Sequence, residues 1–238
     1  MHVRDLHPWD VTPDEAKRIQ LDLASQVVLA DSVALDDLNV VAGVDNTYVT
    51  EGAETTAYAV VVALAYPEME IVETSFASCP VGFPYVPGLL SFREAPAVLA
   101  ACEGLAAEPD AILFDGQGYA HPRRLGLASH LGLVLDRPSI GCAKSRLVGR
   151  NEDPPREFGA HTPLIDRGQT VGAAVRTRPR HAPLFVSPGH KIGIEGAIAL
   201  ALACCREGRF MPEPTRLAHD LVTEHARPHR ERARANAG

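Results

Sequence analysis

The chain has 238 residues, 46% hydrophobic but only 5% aromatic, which suits one α/β domain over residues 1–238 with a core of Val, Leu, Ile and Ala. Its apolar runs Tyr58–Tyr66 and Ala197–Cys205 are too short to span a bilayer, no apolar secretory core follows Met1, and five cysteines without C-x-x-C spacing argue against a disulfide framework or zinc ribbon; together these point to a reduced, cytoplasmic protein. The net charge of −7 is uneven: residues 1–75 hold 14 acidic and 3 basic side chains and residues 76–238 hold 16 and 20, so a phosphate-binding face is not excluded.

Thr12-Pro13-Asp14-Glu15 opens a helix, with an N-cap, Pro at N1 and acids in the first turn; Ile19, Leu23, Val27 and Ala30 carry it to residue 30. Leu38–Val49, Thr55–Ala65 and Glu70–Phe76 read as three strands on short links, hence antiparallel neighbours. A Pro/Gly-rich loop over 79–91 precedes a helix at Ser91–Ala107, a buried strand at Ala111–Asp115, a helix at Pro122–Leu135 and a strand at Pro138–Cys142. Val171–Arg176 and Leu184–Val186 are weaker strands, Gly193–Glu207 and Thr215–His225 are helices, and Arg227–Gly238, rich in Arg and Ala, reads as a frayed tail. This order predicts a mixed central sheet flanked by helices, with an antiparallel hairpin edge and parallel crossovers.

Three acids stand out. Asp45 interrupts the apolar run Val41-Ala-Gly-Val; buried, it must be paired, hydrogen-bonded or metal-bound, and otherwise it is a turn residue at a strand end. Asp115, in Leu113-Phe-Asp115-Gly-Gln-Gly, ends a strand where α/β sheets bind ligands, although a plain strand-to-loop Asp reads the same way. Ser91-Phe-Arg-Glu94 matches a capping box; alternatively Pro96 pushes the helix start toward Ala95 and frees Glu94 to face the sheet. Carboxylates about 4–5 Å apart repel by about 3–4 kcal/mol per pair at an effective dielectric near 20, and a divalent cation reverses that sign. Oxygen-rich sites suit Mg²⁺ or Mn²⁺, and the lack of a Cys/His cluster argues against zinc. The basic clusters Arg123, Arg124, Arg137, Lys144, Arg146, Arg150 and Arg176, Arg178, Arg180, Lys191 suit either phosphate contact or a solvated surface.

In these motifs the chain resembles the endonuclease V family. The matching pieces run in order: Ala42-Gly-Val-Asp45, Pro84-Tyr-Val-Pro-Gly-Leu-Leu-Ser-Phe-Arg-Glu94, Asp115-Gly-Gln-Gly, His121-Pro-Arg-Arg-Leu-Gly, Gly141-Cys-Ala-Lys-Ser-Arg-Leu and Pro212-Glu-Pro-Thr-Arg-Leu-Ala-His219. The resemblance implies an RNase H-like fold and a metal-dependent DNA-repair endonuclease. Its substrate would be deoxyinosine in DNA, or inosine in RNA, with hydrolysis of the second phosphodiester bond on the 3′ side. It implies that Asp45, Glu94 and Asp115 hold Mg²⁺ or Mn²⁺, with His219 as a fourth ligand; taken alone, His219 reads as an exposed helical histidine. Lys144 would meet the scissile phosphate or the attacking water, where residue type alone suggests a surface lysine. His121 would contact a phosphate or support the site, and His190 would be structural. Pro84-Tyr85-Val86-Pro87 is similar to the family's wedge, two prolines stiffening a turn whose ring stacks where a base has been displaced. The flipped base would enter a pocket lined by Gly88, Leu90, Gly116, Gly126 and Leu127. Gln117 departs from the family pattern, where His is expected. Two other readings compete: a non-catalytic module that binds inosine or branched nucleic acid, and an unrelated phosphatase using the same acids.

Overall fold

The computed structural model describes residues 1–236. Its elements are α1 (Pro13–Ala24), β1 (Val40–Glu51), β2 (Glu54–Ala65), β3 (Glu70–Pro80), α2 (Leu90–Glu103), β4 (Ala111–Phe114), α3 (Leu127–Leu135), β5 (Ser139–Ala143), β6 (His161–Asp166), β7 (Gln169–Val175), β8 (Leu184–His190), α4 (Ile194–Ala203) and α5 (Glu213–Asn236). The strands form one mixed sheet in the order β3-β2-β1-β4-β5-β8-β7-β6. β1 to β3 are antiparallel, whereas β4 runs parallel to both β1 and β5. This is the RNase H-like arrangement.

Strand periodicity builds a core on each face. On β2, Val60, Val62 and Leu64 join Leu113 of β4 and Ala218 and Val222 of α5 in one apolar cluster. The alternate residues Ala59, Val61 and Ala63 join Phe114, Val98 of α2 and Leu131 of α3 in another. Burying a side chain such as Val or Leu contributes about 1.5–3 kcal/mol, so a strand buried on both faces is anchored from two sides.

Several boundaries differ from expectation. The capping box of Thr12 and Glu15 forms, but α1 stops at Ala24. The α2 helix begins at Leu90 rather than near Ala95, and Ser91 is not its cap, so the capping box at Ser91 and Glu94 does not form. Residues 122–126 precede α3 instead of belonging to it; Gly126 N–H donates to the Gly118 carbonyl and folds this stretch against the loop after β4. The edge strand β6 carries Pro163, which weakened its sequence signal. The expected frayed tail is helical through Asn236, while residues 237 and 238 lie outside the described structure. Tertiary contacts hold that last stretch: Ala226 and Ala233 are buried, Arg230 donates to Thr47 Oγ1, and Asn236 donates to Glu51. Among the described residues no helix is long and apolar enough to cross a membrane.

Candidate active site

The parallel β1–β4 ladder ends at the pair Val44 and Phe114, and each strand's next residue is an aspartate. Ala42 and Val44 face the α2 and α3 side, so alternation turns Asp45 toward α5. At Gly43 the α5 backbone passes so close that a Cβ would strike the Pro214 carbonyl. That approach brings His219 over the end of the β1–β4 ladder, where its Nδ1–H donates to Asp45 Oδ2 at 2.8 Å. Asp45, Asp115 and His219 each offer a ligand atom within 4.8 Å of the others. Lys144, just past β5, donates from Nζ to Asp115 Oδ2 at 2.5 Å.

Glu94 is not part of that group of three ligand atoms. It comes from α2, on the other face, and is only 7% exposed. Tyr48 donates its hydroxyl to Glu94 Oε1 at 3.3 Å, and the Asn46 amide, with its nitrogen turned inward, donates to the same carboxyl at 3.2 Å. Burial first, and then the negative charge of Asp45, push the Glu94 carboxyl up to about 8. Burial likewise raises the Asp45 carboxyl, with the His219 hydrogen bond opposing and the Asp115 charge adding to the rise. Two carboxylates and an imidazole, with a third carboxyl behind them, form a donor set that fits a hard divalent cation.

A cavity of about 430 Å³ opens beside Asp115 and Lys144. Tyr85, Val86, Pro87, Gly88, Leu90, Gly116, Gly126 and Leu127, all anticipated as wedge or pocket residues, line it; Pro84 does not. Tyr85 is 72% exposed at its mouth. His121 lines the cavity but is nearly buried, and burial together with the charge of Arg123 lowers its pKa to about 4, so it is neutral. Its Nε2–H donates to the Gly88 carbonyl at 3.0 Å, which gives it a supporting position rather than that of a phosphate-binding cation.

His190 is buried, and its Nδ1 accepts from Val28 N–H, a structural contact. Much of the basic surface is used within the fold: Arg124 pairs with Asp166, Arg137 with Glu108, Arg176 with Asp153 and Lys191 with Asp136. Lys144 and Arg146 face the cavity. Gln117 donates to the Ser145 carbonyl at 2.8 Å and so ties the loop after β4 to the loop that carries Lys144.

Sequence reasoning missed Gln20, Ser91 and His130. Ser91 lines the cavity and shares a 2.9 Å hydrogen bond with Nδ1 of the fully buried His130, whose Nε2 lies 2.7 Å from Nε2 of His7. Gln20 also lines the cavity, and it occupies an otherwise apolar helix face between Ala16 and Leu23, which is the signal that could have revealed it.

An RNase H-like sheet that sets paired carboxylates just past the last rung of its central parallel ladder, with a histidine above them, defines a metal-dependent nuclease. The sequence model of the Endonuclease V family matches residues 21–220. The Endonuclease V of Methanothrix thermoacetophila is 52% identical over 227 residues, covering 95% of this chain and 98% of that one. The crystal structure of the Bacillus subtilis Endonuclease V superposes with a TM-score of 0.92 at 32% identity, covering 98% of this chain and 99% of that one. The Ciona intestinalis Endonuclease V, solved with a 24mer DNA containing an inosine followed by a ribo-adenosine, superposes with a TM-score of 0.79 at 27% identity, covering 90% and 98%. This chain belongs to the Endonuclease V family.

Proposed function

We propose that this endonuclease hydrolyses the second phosphodiester bond 3′ to deoxyinosine in DNA, and that Asp45, Asp115, His219 and Glu94 would hold Mg²⁺ or Mn²⁺. One observation carries the reading: a single cavity is lined by both Asp115 and Lys144 and by Tyr85, Gly88, Leu90 and Leu127. A base drawn into it would leave its 3′ phosphates beside the carboxylates. The inosine-containing DNA bound by the Ciona relative supports the same substrate class.

When bound, the cation supplies positive charge to the phosphodiester oxygens and acidifies a water. The chain's own residues do the rest. Asp45 presents its carboxylate from within β1 and Asp115 from the end of β4. His219 directs Nδ1–H to Asp45, which leaves Nε2 with its lone pair. Lys144 Nζ steadies Asp115 and is within reach of a phosphate on the cavity side. Glu94 holds a proton at its carboxyl at neutral pH in the metal-free protein, and Tyr48 and Asn46 keep that carboxyl aimed. Tyr85, stiffened by Pro84 and Pro87, fills the gap left by the displaced base. All five cysteines are free thiols, which suits a reducing compartment such as the cytoplasm.

The test is a set of matched oligonucleotides carrying deoxyinosine, inosine in RNA, or no lesion, incubated with Mg²⁺ and mapped for the cut. A cut one nucleotide beyond the lesion's 3′ neighbouring bond is expected on the deoxyinosine strand. Binding without cutting would favour a non-catalytic inosine-binding module, and equal cutting of all strands would end the lesion reading.

A further inference from the structure

Three side chains, one from α1 and two from the segment before α3, converge on one backbone oxygen, the carbonyl of Gly88. Arg123 Nη2 donates to it at 2.8 Å, His121 Nε2 at 3.0 Å and Gln20 Nε2 at 3.1 Å. Gln20 is 1% exposed, on α1, and it ties the group together. Its Oε1 accepts from Arg123 Nε at 2.5 Å, and its Nε2 also donates to the Leu125 carbonyl at 3.1 Å. Arg123 N–H donates to His121 Nδ1, which leaves the imidazole proton on Nε2, the atom that meets Gly88.

A carbonyl has two lone pairs, so three donors saturate it. Gly88 sits at φ +79°, a conformation that glycine adopts without strain, and it directly follows Pro87. At the other end of the same loop, Arg93 Nη1 donates to the Phe83 carbonyl at 2.7 Å. The four residues Pro84–Pro87 therefore hang between two anchored carbonyls, and the exposed Tyr85 ring projects from a bracket rather than a free loop.

We propose that Gln20 is a positioning residue for lesion recognition: through Arg123 and His121 it fixes the Gly88 carbonyl, and with it the pitch of the Tyr85 loop over the cavity. Gln20 touches neither the carboxylates nor Lys144, and it stands one residue before the segment matched by the family model. The inference rests on the deoxyinosine reading above.

The experiment is a double-mutant cycle on the full chain with Mg²⁺, using deoxyinosine and lesion-free oligonucleotides, with the unfolding midpoint measured for each variant. Gln20→Leu keeps the volume and removes both hydrogen-bonding functions. It is expected to lower kcat/KM on deoxyinosine by about tenfold, through KM with kcat kept, and to narrow the preference over lesion-free DNA. Tyr85→Ala is then expected to cost less in the Gln20→Leu background than in the wild type, because the ring is already misplaced. Fully multiplicative effects, or equal losses on both oligonucleotides, would overturn the proposal. If Gln20→Leu does not fold, Arg123→Lys serves instead: it keeps the charge and loses the fork that joins Gln20 to Gly88, and the same coupling with Tyr85 is required. A wild-type enzyme with no preference for deoxyinosine removes the underlying reading itself, an outcome distinct from a preference that survives without coupling.

Discussion

Asp45 and Asp115 lie side by side because β1 and β4 are parallel and in register, each carboxylate one step beyond the pair Val44 and Phe114. Lys144 offsets the charge of Asp115, but burial first, and then the nearby Asp115 charge, raise the Asp45 carboxyl in the metal-free protein. Asp45→Asn and Asp115→Asn should therefore cut at least about 100-fold more slowly while still binding deoxyinosine DNA. In EDTA, Asp45→Asn should be more stable than the wild type, by about 1 kcal/mol. Single-turnover cleavage, fluorescence anisotropy and urea unfolding check the three parts; full cutting by either variant would remove these residues from the metal site.

Gly43 sets the distance between β1 and α5. Adding a methyl group forces the Pro214 backbone outward, and with it the helix that carries His219. Gly43→Ala is expected to destabilise the fold by about 1–3 kcal/mol and to lower kcat in protein that remains folded. An unchanged unfolding curve would show that the helix yields without cost.

Tyr85 is 72% exposed, so removing its ring should leave stability within about 0.5 kcal/mol of wild type. Stacking of an aromatic ring on a base contributes about 1–3 kcal/mol, so Tyr85→Ala should reduce deoxyinosine preference roughly tenfold while Mg²⁺ dependence stays the same. Parallel titrations of lesion-bearing and lesion-free strands against Mg²⁺ make the comparison; a shift in the Mg²⁺ midpoint equal to the loss in preference would contradict it.

His121 gives stability a pH dependence of definite sign. It is neutral in the fold, its pKa lowered by burial to about 4, whereas the unfolded chain protonates near the ordinary histidine value of about 6.5. The unfolded state therefore takes up the proton first on acidification. The contribution is complete above pH ~6.5 and is lost as pH falls toward ~4, an effect on the order of 3 kcal/mol from this residue. The buried His130, also held well below the usual range by burial, acts in the same direction. Urea midpoints from pH 7.5 to 4.5 should fall, and His121→Gln should flatten the slope; identical slopes would place the acid sensitivity elsewhere.

Local sequence determined much of the scaffold. The pattern Thr12-Pro13-Asp14-Glu15 carries its own cap, and the hairpins of β1 to β3 follow from apolar runs broken by short turns, so these elements need few distant partners. Asp45 within its apolar strand, Asp115 at the end of β4 and the proline-stiffened Tyr85 were legible for the same reason: each depends on neighbours a few residues away. Tertiary structure decided the rest. His219 meets Asp45 across 174 residues, and no local pattern encodes which face of the sheet α5 will cover. Glu94 was ambiguous in sequence because helix start and sheet contact compete; packing resolved it, placing the carboxyl against Tyr48 and Asn46 and off the face of the other two acids. The tail beyond Arg227 is helical because Ala226 and Ala233 seat on the sheet and Arg230 reaches Thr47, contacts that outweigh its weak intrinsic signal. Backbone preferences act over a few residues, whereas burial and hydrogen bonding of a buried polar group such as Gln20 depend on atoms brought near only by the finished fold.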